Sequence, residues 1–575
     1  MAVAEALTNL ASVKVYDRTR IRLSANWMAA SSETESLYGL YEAVEAIGLG
    51  LCPKLGIAIP VGKDSLSMQA AWEDQRVASP VSLVISAFAP VEDVRRHATP
   101  QLQDDPNSCL LLVSLDSSRR LGGSALAQVY GRTGSDTPDV DDSGRLATFF
   151  DQVQALLDEE AILAYHDRSD GGLLTCLCEC AFAGRVGLEV DLPVSEDGLL
   201  GYLFNEEIGA VLQVRSMQAE KIAERLREVG LTCESIGIPS SEPMLRLCCQ
   251  GDEKGAWPLP ELQQLWSRTS YEIARRRDHG ECARSEYESG KQWNAPPLFL
   301  ELSYEIEENP AAPYIHTGAA PTVAILREQG VNGQIEMAAA FSRAGFICKD
   351  LHMSDLQQDP HLLDDVSGLA ACGGFSYGDV LGAGGGWAKN ILYHKELRNI
   401  FKKFFERPEV FALGVCNGCQ LLSQMKELIP GASHWPHFVP NLSEQFEARL
   451  CEVEILESSS VLLKGMAGSR LPIVVAHGEG RIDPQCDMVA LEQSACMRYI
   501  DADGAVAMDY PANPNGSAGG VTALTSTDGR FTIMMPHPER VFRTLQYSWH
   551  PPEWGEDAPW LRLFQNARAW VGEAA

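Results

Sequence analysis

At 575 residues the chain has room for about four domains of ~150 residues, and its balance of 45% hydrophobic to 22% charged residues excludes a disordered protein. Its net charge of −31, from 47 basic and 78 acidic side chains, argues against nucleic acid or anionic membrane as partners, so anionic ligands must be held by local Lys, Arg, backbone amides or metal ions. The 16 cysteines lack framework spacing, Met1-Ala2-Val3-Ala4-Glu5 does not read as a leader, and no apolar run reaches ~18 residues, which together point to reduced thiols in the cytoplasm and to no membrane span.

The chain opens on a helix over 4–11 in which Glu5 and Asn9, at i and i+4, share one face. Two oxygen donors so placed suit a hard cation such as Mg²⁺, although a solvated helix face accounts for the same spacing. A strand-like stretch over 21–28, a helix over 37–51 and a strand over 55–60 follow, leading into Val61-Gly62-Lys63-Asp64-Ser65-Leu66-Ser67-Met68, read as a glycine turn able to bind phosphate but lacking the P-loop pattern. An alternating strand over 81–88 closes this part. After a polar linker over 101–107 come a strand over 108–115, a turn into a helix at 121–127, and a strand over 161–166 that delivers His166-Asp167-Arg168-Ser169-Asp170-Gly171-Gly172 at its end. Acids and glycines at a strand's carboxyl edge are where an α/β site gathers metal and phosphate, so Asp167 either completes the cation site of Glu5 and Asn9 or caps the next helix. Cys176, Cys178 and Cys180 fall two apart on that helix, on different faces, and read as buried small hydrophobes. Asn205-Glu206-Glu207 feeds another strand, a helix over 218–229 and short strands at 236–238 and 245–247 follow, and 251–320 reads as a helix and an extended connector.

A new domain starts with a strand over 322–326. Cys372-Gly373-Gly374-Phe375-Ser376-Tyr377-Gly378-Asp379 is a glycine loop whose N–H groups can approach a developing charge. Val410-Phe411-Ala412-Leu413 then runs into Gly414-Val415-Cys416-Asn417-Gly418-Cys419-Gln420, a buried strand, a tight turn and a helix start with Cys416 at the apex, where the helix N-terminus favours a thiolate. The strand over 531–535 ends in Pro536-His537-Pro538-Glu539-Arg540, so that His537 can serve as base and Glu539 as its orienting carboxylate. The Asn417 amide would join the donors of the glycine loop. His477 and Glu479 repeat the H-x-E spacing after an apolar strand and are a rival pair. Cys416 with Cys419 also spells C-x-x-C, the pattern of a thiol-disulfide oxidoreductase.

In the order GGFSYGD, GVCNGCQ, PHPER these words resemble the class I glutamine amidotransferase domain of the phosphoribosylformylglycinamidine synthase family, and VGKDSLSM, HDRSDGG and FNEEIGAV resemble the second half of that family's synthetase region. The resemblance implies an α/β fold: a half similar to aminoimidazole ribonucleotide synthetase (subdomains 1–100 and 101–250), a linker (251–320) and a flavodoxin-like glutaminase (321–575). It further implies Cys416 as nucleophile, His537 as base and Glu539 as its partner, a choice over His477 that rests on the PHPER wording. Backbone donors of Gly374, Phe375 and Asn417 would hold the oxyanion. Glu5, Asn9 and Asp167 match Mg²⁺ ligands at a structural nucleotide site, with ADP as the expected occupant, and Ser169 matches a nucleotide contact. Glutamine, ATP and formylglycinamide ribonucleotide are the implied substrates. The family's first synthetase half, not found in this sequence, is the implied partner in cis or in trans; a non-catalytic nucleotide-binding scaffold is the reading left if it never joins.

Overall fold

The computed structural model describes residues 1–296, 298, 300–315, 318 and 320–574, and the chain divides into two compact units, Met1–Trp266 and Ser267–Ala575.

In the first unit, strand Arg22–Met28 pairs in parallel with Ala58–Ser65 and antiparallel with Ser82–Phe88. Of the expected phosphate-binding turn at 61–68, residues 61–65 are the end of that second strand. Gly62 is there because its neighbour comes close: a Cβ would lie 2.4 Å from the carbonyl oxygen of Ala25. Helix Thr34–Glu45 continues through a π-helical segment, Ala46–Leu51, into Cys52–Leu55, and stops at Gly56 in the left-handed region. Leu55 therefore ends a helix rather than opening a strand. None of the residues of Thr34–Glu45 is buried, and Leu37, Tyr38, Tyr41, Val61, Val84 and Phe88 are all more than 40% exposed.

A seven-stranded sheet forms the rest of this unit, in the order Asp252–Pro258, Met244–Cys249, Gly187–Leu192, Thr232–Ser240, Ser108–Ser114, Gly209–Arg215, Ile162–Asp167. Its pairings are antiparallel except that of Met244–Cys249 with Gly187–Leu192. Strand Asp252–Pro258 lies in the stretch expected to be a linker. Ser143–Asp158, a helix absent from the sequence reading, buries Leu146, Phe149, Phe150, Val153 and Leu157 at the 3–4 residue repeat of one helix face and is capped by the Asp142 side chain.

The second unit is built on a nine-stranded sheet whose first five strands, Ile347–His352, Thr322–Arg327, Gly368–Ala371, Phe411–Val415 and Phe531–Met534, are parallel neighbours in that order. Gly368–Ala371, Phe411–Val415 and Phe531–Met534 are buried throughout, which is why they read as apolar runs without alternation. Antiparallel strands Val521–Thr525, Ala495–Tyr499, Glu447–Ile455 and Arg470–His477 extend the sheet. Helix Lys395–Glu406 covers it with Leu397, Phe401, Phe404 and Phe405.

Candidate active site

Strands Phe411–Val415 and Phe531–Met534 are parallel neighbours, with Val415 opposite Met534, so both chains leave the sheet at the same edge. Cys416 follows at once with φ +52 and ψ −109 as the N-cap of helix Asn417–Gln424. Such a conformation is costly for a non-glycine residue and turns the side chain out of the strand-to-helix bend. The helix can start this close to the sheet because residue 418 is glycine: a Cβ there would lie 2.0 Å from the carbonyl oxygen of Ala371.

His537 and Glu539 are each 1% exposed, and Nδ1 of His537 meets Oε1 of Glu539 at 2.7 Å. Gly373 lies against both the imidazole and the nucleophile, since a Cβ on it would be 2.8 Å from His537 Cε1 and 3.3 Å from Cys416 Cβ. Burial alone would lower the His537 pKa, yet the Glu539 carboxylate and the Cys416 sulfur outweigh it and push the pKa up to about 9. Imidazolium beside sulfur is thus the favoured state. The Cys416 Sγ contacts the Ala476 carbonyl at 3.5 Å.

The rival pair is arranged differently. Asn441 donates through Nδ2 to the carbonyls of Gln445 and His477, so its Oδ1 is the acceptor that faces Gly480 N–H at 2.8 Å and His477 Nδ1 at 3.2 Å. His477 must therefore carry its proton on Nδ1. Burial and the neighbouring His537 push its pKa down to about 3, and Glu479 accepts from Ala383 N–H at 3.0 Å. With an amide as partner in place of a carboxylate, His477 stays a neutral ring.

Of the three expected oxyanion donors, Phe375 has its N–H engaged with Gly330 O at 2.8 Å. The bridge between Val331 and Gly374 is held by that bond and by Asn332 N–H to Gly373 O, which leaves the Gly374 N–H outside the ladder. The Asn417 N–H, in the first turn of its helix, has no intrahelical acceptor. The Asn417 side chain ties the glycine loop to the nucleophile's helix, with Nδ2 donating to Asp379 at 3.1 Å and Oδ1 accepting from Ser376 N–H at 3.4 Å.

Cys416, His537, Gly374 and Phe375 line a cavity of about 400 Å³ together with Asp379, Gln420, Phe446, His477, Glu479 and Arg540. Phe375 and Phe446, 46% and 50% exposed with ring centroids 5.9 Å apart, stand at its rim. Asp379, Gln420, Phe446 and Arg540 had no role in the sequence reading, though the first, second and fourth sit inside its three motifs. Cys419, the other half of the C-x-x-C pattern, is fully buried and burial holds its thiol well above the usual range.

In the first unit, Glu5 and Ser169 line a second cavity of about 230 Å³ with Thr8, Asp170 and Glu206. Glu206 Oε1 accepts from both Gly171 and Ala125 N–H at 2.8 Å and so ties the motif loop to a neighbouring helix start. Asp167 ends strand Ile162–Asp167 and is not a cap, a position that Gly171 takes. It is buried and receives the Thr8 hydroxyl at 3.4 Å. Asn9 is exposed and is not among the residues lining the cavity. Burial, Asp170 and Asp167 raise the Glu5 pKa. Among the described residues no three His, Cys, Asp or Glu side chains are placed to hold a metal ion; of the three expected Mg²⁺ ligands only Glu5 lines this cavity.

Residues 320–571 match the CobB/CobQ-like glutamine amidotransferase domain family, residues 1–90 the FGAR-AT PurM_N-like domain family, and residues 106–247 the family of AIR synthase related proteins, C-terminal domain. Among solved structures, PurLQS from Thermotoga maritima is 23% identical, with 43% of this chain and 98% of that one covered and a TM-score of 0.34. T. maritima PurL complexed with FGAR is 16% identical over 45% of this chain and 42% of its own length, TM-score 0.36, and E. coli HypE is 20% identical over 45% and 80%, TM-score 0.34. The chain therefore spans less than half of that T. maritima PurL. By its domains it is a glutamine amidotransferase joined to an AIR synthase-type unit. The combination with an FGAR-AT domain places it in the phosphoribosylformylglycinamidine synthase family.

Proposed function

We propose that this chain supplies the glutaminase and one synthetase half of a ligase that converts formylglycinamide ribonucleotide to formylglycinamidine ribonucleotide with ATP, taking ammonia from glutamine. The observation that carries the reading is the convergence in one cavity of Cys416, at a strained strand-to-helix turn, with the buried His537–Glu539 pair. Cys416 attacks the carboxamide carbon while His537 holds the thiol proton and passes it to the departing nitrogen, so that ammonia leaves and a γ-glutamyl thioester remains. Water, deprotonated by the same imidazole, then releases glutamate and restores the thiol. Glu539 keeps the ring oriented, and the N–H groups of Asn417 and Gly374 face the oxyanion.

In the first unit we assign nucleotide contact to the cavity of Ser169 and Glu5. The exposed apolar side chains of Thr34–Glu45 and its neighbouring strands support a further half that covers them, as the family resemblance implies. Cysteine usage and charge favour a cytoplasmic setting. Burial holds the Cys419 thiol well above the usual range, which weighs against its forming the thiolate that would resolve a disulfide with Cys416. The test is peptide mass spectrometry after incubation with a chloroketone analogue of glutamine. Label on Cys416, absent from Cys416→Ala, is expected; a reversible Cys416–Cys419 disulfide with no label would sink the reading.

A further inference from the structure

The glutaminase cavity has an uneven distribution of charge that the chemistry at Cys416 does not use. Glu479 and Asp379 both line it, and the Glu479 carboxylate is anchored by one oxygen, Oε2, on the Ala383 N–H. Asp379 holds the Asn417 side chain through Oδ1. Beside them His477, 98% buried, has a proton on Nδ1 and hence a bare acceptor at Nε2, which has no hydrogen-bond partner. Besides the His537 ring at the nucleophile, Arg540 is the cationic side chain among the described residues of the lining, with Nη2 held by Asn332 Oδ1 at 3.3 Å.

We infer that Asp379 and Glu479 recognise the α-ammonium of an amino-acid carboxamide in this cavity and Arg540 its α-carboxylate, Glu479 being the residue that selects an amino-acid amide over a simple amide. The inference rests on the glutaminase reading and adds the substrate's head group to it. A zwitterion offers N–H donors and a carboxylate at one carbon; acids with an acceptor imidazole, and a guanidinium, are the complementary set. Two carboxylates facing one cavity repel each other, and burial and Glu479 raise the Asp379 pKa. A bound ammonium relieves that repulsion.

The test uses the intact 575-residue chain and two chloroketones that differ only in the α-amino group: 2-amino-5-chloro-4-oxopentanoate and 5-chloro-4-oxopentanoate. In both, the Cys416 sulfur displaces chloride, and the labelling rate is read by mass spectrometry. The amino compound is expected to label the unsubstituted chain about 10–100-fold faster than the other, the discrimination of a charged hydrogen bond. Glu479→Gln, which keeps an acceptor for Ala383 N–H, should remove most of that ratio by slowing the amino compound alone. Equal rates in the unsubstituted chain, a ratio unchanged in Glu479→Gln, or an equal fall for both compounds would overturn the inference, the last by showing a structural role. If iodoacetamide labels Cys416 and neither chloroketone does, the glutaminase reading itself fails and the inference goes with it.

Discussion

At the scale of single residues, His537 carries a pH dependence whose sign follows from its environment. Its folded pKa, about 9, lies above the ordinary value of 6.5. The stability it contributes is therefore fully present below pH 6.5 and is lost as pH rises through about 9. Thermal unfolding across that window should show the loss, and Cys416→Ala should flatten it, since the sulfur is one of the groups that raises the pKa. Glu539→Gln removes the larger electrostatic support: the His537 titration, followed by imidazole NMR, should move below about 9, and glutamine turnover should fall about 10²–10⁴-fold. Cys416 and the His537–Glu539 pair were legible in the sequence because each lies in a short local word. The choice between two H-x-E pairs was not, because spacing carries no information about the partner of the ring. Asn441, 36 residues before His477, settles which histidine stays neutral. Nor does the local word show that the Phe375 N–H bonds to Gly330, far upstream.

At the scale of elements, the nucleophile's helix depends on contact with strand Gly368–Ala371 at Gly418. Gly418→Ala should push that helix off the sheet, at a cost of about 3 kcal/mol in urea unfolding, and should slow Cys416 labelling as the turn shifts. The parallel strands were readable because burial on both faces leaves unbroken apolar runs. Ser143–Asp158 went unread although its buried positions repeat with helical period, for Gln154 among them and Thr148, Asp151 and Gln152 between them dilute the apolar signal. Strand Asp252–Pro258, written in charged residues at a sheet edge, offers no apolar pattern to find; its pairing with Met244–Cys249 creates it. The reading of 61–68 as a phosphate turn took Gly62 for a bend, where it serves close approach between strands.

At the scale of the whole molecule, the proposed function assigns the glutaminase chemistry and the use of ammonia to different units of the chain, so they should separate under mutation. With a first synthetase half supplied in trans, Cys416→Ala should abolish amidation from glutamine and leave amidation from ammonium salts largely intact. The chain by itself should make no amidated product from either donor, and ammonia-dependent amidation by the chain alone would refute the need for a covering half. The strained backbone at Cys416, φ +52 and ψ −109, has one more consequence. Strain of this kind costs about 1–3 kcal/mol, and alanine inherits it while glycine does not. Cys416→Gly should therefore melt above Cys416→Ala, by about 1 kcal/mol after the greater chain entropy of glycine is set against the relief. The fold is held below its attainable stability by the very side chain that gives it chemistry, and a descendant freed from hydrolysing glutamine would drift toward glycine at this position.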